Sequence, residues 1–182
     1  MNKPCNRASL CTLGALLTLQ LPLAGVAAAD PATPLIDAVR NATARYLDIN
    51  EAFRDGWVTA TPCVSGPDAG AMGVHLVLPA RIASGVLNPA QPEALIYEPM
   101  ANGSMRLVGV EFIVLESVWT AANPAPGAVP ALEGNLLNYV AAPNRYGLPP
   151  FYEIHVWAWQ NNPKGSYADW NTQVTCGNQP LS

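Results

Sequence analysis

The run RLVGVEFIVLESVW, Arg106 to Trp119, constrains this chain more than any other stretch. Side chains of an extended strand alternate between two faces. Leu107, Gly109, Glu111, Ile113 and Leu115 therefore point one way, and Val108, Val110, Phe112 and Val114 the other. Both faces are apolar except at Glu111, which predicts a long central strand covered on both sides. An Asn102-Gly103 pair separates this run from EALIYEP, and Asn-Gly between two apolar runs is a strong hairpin signal. MGVHLVLP, ending at Pro79, and FYEIHVWAW, Phe151 to Trp159, read as further strands, and Trp57 to Thr61 as a short one.

Residues 34 to 55 carry the clear helical signal. Leu35, Val39, Ala42, Tyr46, Ile49 and Phe53 recur at steps of four and three, which places them on one stripe. Thr33 is positioned as N-cap with Pro34 at the first helical position, Asp37 and Arg54 suit the two ends of the helix dipole, and Gly56 stops the helix. A helix with one apolar side must lie on something, and the strands supply it. The expected fold is α+β: one N-terminal amphipathic helix packed on a curved antiparallel sheet, or partial β-barrel, of four to six strands. Ala80 to Val86 reads as one helical turn, and ADWNTQVTC as extended chain. Residues 121–150, with a weak helical hint around Leu132 to Val140, form an irregular segment of the kind that makes a lid or pocket rim.

Candidate chemistry follows from which side chains share a face. In FYEIHVWAW, Glu153, His155, Trp157 and Trp159 lie on one side and Tyr152, Ile154, Val156 and Ala158 on the other. The first set mixes polar and aromatic groups, as ligand pockets do. His75, one of only two histidines, shares a face with Gly73 and Val77, and Glu98 shares one with Ile96. Glu111 interrupts the apolar run, and a buried carboxylate left unpaired costs on the order of several kcal/mol, so something must meet it. Arg106, Arg81, Arg145 and the two histidines are the candidates.

If these faces converge, His75, His155, Glu111 and Glu98 offer two imidazoles and two carboxylates to one divalent transition metal: zinc, iron, manganese or copper. No His-x-His or His-x-x-x-His spacing supports this, so the expectation rests on face parity. Tyr97, Glu153, Trp157 and Trp159 are the expected walls of a pocket for a small-molecule ligand. Two rival readings stand beside it. In one, the histidines are satisfied core residues of a non-enzymatic structural or binding module. In the other, His155 with Glu111 or Glu153 does metal-free acid–base chemistry. The residues leave enzyme against binding module open, and no serine has a nucleophile motif around it.

Composition places the chain. Lys3 and Arg7, an apolar stretch from Leu10 to Leu23 and Ala27-Ala28-Ala29 read as a signal peptide over residues 1–29, with a periplasmic or secreted destination. The apolar stretch is shorter than the roughly 20 residues of a spanning helix, so no membrane association is expected after cleavage. Residues 30–182 then form a single globular domain. That segment holds 7 basic and 13 acidic residues, and its acidity argues against nucleic acid as a partner. Its two cysteines, Cys63 and Cys176, read as one disulfide in an exported chain.

The succession MGVH, PEALIYEP, RLVGVEF, then HVWAW with NPKGSYADWN and a final Cys resembles a family of exported bacterial proteins of unknown function, over about Pro62 to Cys176. The resemblance implies export and a compact domain and carries no established activity or ligands. Cupins, another two-histidine barrel group, set two histidines one residue apart, a pattern that His75 does not match.

Overall fold

A computed structural model describes residues 33–66 and 68–179; the expected signal segment lies outside them. The doubly apolar run forms β5, Met105–Leu115, buried on both faces through its middle and placed inside a large antiparallel sheet. The strand order is β1 (Val58–Thr59), β3 (Gly70–Val77), β4 (Ala94–Pro99), β5, β9 (Phe151–Val156), β8 (Asn138–Val140), with β2 (Val64–Gly66) also paired to β3. The sheet does not close on itself. With four α-helices among the described residues, the architecture is α+β. The Asn102-Gly103 turn joins β4 to β5, and Gly103 takes the positive φ of 80° that the turn needs.

One sheet face carries Val74, Leu76, Leu95, Tyr97, Val110, Phe112, Ile154 and Val156, packed with Leu35, Ile36, Val39, Tyr46 and Ala52 from the helical segment. That segment is not one continuous helix. It runs as α1 (Pro34–Thr43), a 3-10 turn (Ala44–Leu47) and α2 (Ile49–Arg54). Thr33 does cap α1, its hydroxyl accepting from Ile36 N–H. The break has a local cause. Thr43 Oγ1 donates back to Val39 O at 2.7 Å, which perturbs the helix, and Asp48 adopts an extended conformation to cap α2 through Asn50 N–H. The break also rotates the stripe: Ala52 is buried, while Phe53 is 48% exposed.

Two strand limits, one helical hint and the tail differ from the pattern. β5 stops at Leu115, where Glu116 starts α4 (Glu116–Ala122) with its N–H on Pro150 O. Leu132 to Val140 contains no helix: Ala131–Leu132 (β6) and Asn135–Leu136 (β7) pair around Glu133 and Gly134, both at positive φ (47° and 82°), a type I′ hairpin turn. β9 stops at Val156, after which Ala158 N–H folds back to Val156 O and Trp159 N–H reaches Val108 O. The tail beyond Ala168 makes turns and one bridge, Ala71 with Asn171, rather than an extended run. A short helix, α3 (Pro79–Ser84), links β3 to β4, and Cys63 and Cys176 form the disulfide.

Candidate metal centre

Residues paired across an antiparallel sheet share a face. The register therefore builds a single row from Val77, Ala94, Glu111 and His155 across four strands, with His75 in the next row beside Ile96. Glu111 and His155 stand directly opposite each other. His75 is two strands from Glu111 and one row away, so the line between them crosses β4 between Ile96 and Ala94, where the small Ala94 side chain leaves room. His75 Nε2 lies 3.5 Å from Glu111 Oε2, and the two imidazole rings are 5.8 Å apart at 90°. All three side chains are buried.

A nitrogen or oxygen from each of His75, Glu111 and His155 lies within 4.8 Å of the others, and this grouping could hold a metal ion. The 3.5 Å contact is longer than a normal hydrogen bond. It is close to the roughly 3.4 Å between two ligand atoms on one tetrahedral ion at usual bond lengths. His155 is oriented from behind: Nδ1 is 2.9 Å from Glu153 Oε2. A carboxylate accepts, so Nδ1 carries the proton and Nε2 points elsewhere. Nε2 is buried and has no hydrogen-bond partner among the described residues. His75 is held likewise, with Nδ1 3.2 Å from Thr61 Oγ1, which leaves Nε2 for Glu111 or an ion.

A second grouping backs the first. Asn138 Nδ2 donates to Glu153 Oε1 at 3.3 Å and to Asp169 Oδ1 at 3.2 Å, and Asp169 Oδ1 is 4.0 Å from His155 Nδ1. The arrangement is rich in carboxyl groups and poor in cations. Arg106 pairs with Glu98, Arg81 donates to Pro92 O and covers Trp57, and Arg145 covers Trp170. Burial drives Glu111 up to about 8, with Glu153 and Asp169 adding to it and His155 opposing. Burial alone would depress His155, but Glu111, Glu153 and Asp169 outweigh it and carry the imidazole up to about 9. Burial, with the neighbouring His155, holds His75 down at about 3, so it is a neutral donor throughout the ordinary pH range. The pocket thus draws in positive charge, which a cation bound there would supply.

The other expected site residues fall differently. Glu98 shares the face of His75 but lies at the far end of β4, four residues from Ala94; it pairs with Arg106 and accepts Thr175 N–H. Tyr97 points to the opposite face, where its hydroxyl donates to Tyr46 O, so it is core and not pocket wall. Trp159 leaves the expected face because β9 has already ended; its Nε1 donates to Thr43 Oγ1 and it packs against the helical side. Trp157 stacks on His155, with ring centres 6.1 Å apart and an interplanar angle of 22°. The strand can cross closely there because Gly109 has no side chain: a Cβ at that position would sit 2.7 Å from Val156 O.

A cavity of about 190 Å³ opens over His75 and Glu111, walled by Val77, Ile82, Ile113, Leu148 and Phe151, with Thr61 and Tyr146 supplying hydroxyls. Tyr146 and Leu148 come from the irregular segment that the composition marked as a rim. Sequence reasoning missed Tyr146, Thr61 and Asp169 as site residues. The one signal that could have pointed to any of them is the polar and aromatic sequence Asp169-Trp170-Asn171. Compared with family models, with curated proteins and with solved structures, the chain matches none.

Proposed function

We propose that this chain is an exported domain that binds one divalent transition metal through His75 Nε2, His155 Nε2 and one oxygen of Glu111, with an open position toward the cavity. The observation that carries this reading is the orphaned, fully buried Nε2 of His155, fixed by Glu153 and set beside His75 and Glu111. Two imidazoles, one carboxylate and an open side suit zinc or iron(II), and manganese and copper accept the same donor types. The disulfide is compatible with an extracellular location, and no helix among the described residues is long and apolar enough to cross a membrane. Glu98 and the outlying aromatic residues have no part in the proposed ligand set. A bound ion would act as a Lewis acid toward a ligand in the cavity.

Metal analysis of tag-free protein from its native compartment, followed by zinc titration of His75→Ala and His155→Ala, tests the reading. The expected result is one ion per chain in the unaltered protein and its loss in both variants, with the fold checked by near-UV circular dichroism. An unaltered protein that takes up no metal overturns it. The competing structural module is favoured by a single observation, the hydrogen bond each imidazole already makes through Nδ1. Under that reading both variants lower the melting temperature, and the unaltered protein has no metal to lose.

A further inference from the structure

We propose that the cavity over this centre takes a compact apolar monocarboxylate, a single ring or branched chain, with its carboxylate on the open position of the ion. This inference rests on the metal reading above. Size comes from the cavity itself: about 190 Å³, modestly more than the roughly 150 Å³ that encloses benzene in an apolar core. Val77, Ile82, Ile113 and Phe151 offer the body of a ligand no polar partner. The polar atoms are gathered in His75, Glu111, Thr61 and Tyr146, so an apolar body with one polar head matches the lining.

The head is anionic for a reason of charge. A divalent ion held by two neutral imidazoles and one carboxylate keeps a surplus positive charge toward its open side. Glu153 and Asp169 stand on the Nδ1 side of His155, and neither lines the cavity. With His75 ligating through Nε2, its Nδ1–H donates to Thr61 Oγ1, which frees the threonine hydroxyl proton for a ligand oxygen. Tyr146 has a weak contact, 3.4 Å to Met72 Sδ, that a carboxylate oxygen would displace. Without the ion, that positive charge is gone, and a carboxylate would enter an apolar cavity that meets its head with only two hydroxyls and the Glu111 carboxyl group. Occupancy by a carboxylate therefore depends on the metal.

Calorimetric titration of the zinc-loaded chain with benzoate, acetate and benzyl alcohol tests this. Expected are one benzoate per chain, affinity at least about tenfold above both comparison compounds, and loss of binding when zinc is removed. Ile82→Trp fills the cavity from its wall and should weaken benzoate at least about tenfold with zinc stoichiometry unchanged; Leu148→Trp is the second filling variant should the first not fold. Zinc uptake without benzoate binding, or benzoate binding that survives zinc removal or is untouched by the filling variants, overturns this inference and leaves the centre standing. A chain that takes up no zinc, iron(II), manganese or copper overturns both.

Discussion

Glu153 lines no part of the cavity, yet it decides which nitrogen of His155 is available. Histidine ligands whose far nitrogen donates to a carboxylate hold a fixed tautomer and orientation, and losing that partner costs about 10–100-fold in metal affinity. Glu153→Gln should therefore weaken zinc binding by about that factor, read by competition with a chromophoric chelator, while the protein stays folded. The same residues set a pH dependence in the metal-free protein. Glu111, raised from 4.5 to about 8, and His155, raised from 6.5 to about 9, bind protons more tightly folded than unfolded. Their stabilisation is complete below the unfolded values and is lost as pH rises toward the folded ones. Glu93, buried and raised to about 7, acts in the same direction, and His75, lowered to about 3, acts only as pH falls below 6.5. Melting temperature without metal should drop with rising pH, most steeply from about 6.5 to 8, and saturating zinc should flatten or reverse the slope. A flat profile without metal would show that these groups do not share a buried pocket.

At the scale of the element, the helical segment shows how a correct stripe goes wrong at a break. Leu35 is 1% exposed and in the core, so Leu35→Ala should cost about 2–5 kcal/mol in urea denaturation. Phe53 belongs to the same sequence stripe but is 48% exposed beyond the break, and Phe53→Ala should cost under about 1 kcal/mol. Periodicity over residues 34–55 could not reveal this, because Asp48 reads equally well as an exposed helical residue and as a cap. Strand parity was legible for His75, Glu111, His155 and Glu153, since each lies well inside its strand. It failed for Trp159 because β9 ends three residues earlier, and a period of two says nothing about where pairing stops. Glu98 fails for another reason: parity gives the face of a residue but not its row.

For the whole molecule, the Cys63–Cys176 bridge ties the tail to the segment that presents Thr61 to His75. It closes a separation of 113 residues, so its removal should matter. Replacing both cysteines by serine should cost about 2–5 kcal/mol, measured by urea denaturation under oxidising conditions. The sequence by itself determined the faces of His75, Glu111, Glu153 and His155, the hairpin at Asn102-Gly103 and the pairing of two cysteines, because alternation, turn chemistry and cysteine number are local or countable properties. It did not show the bulge in β5 that sends Leu107 to the helical side and Val108 to the other. Tertiary structure alone decided that His75 reaches Glu111 over Ala94, that Glu98 goes to Arg106, and that Asp169 and Tyr146 join the site. Those outcomes depend on inter-strand register and on where loops return, and register is set by the fit of whole faces against one another, which no single stretch of chain encodes.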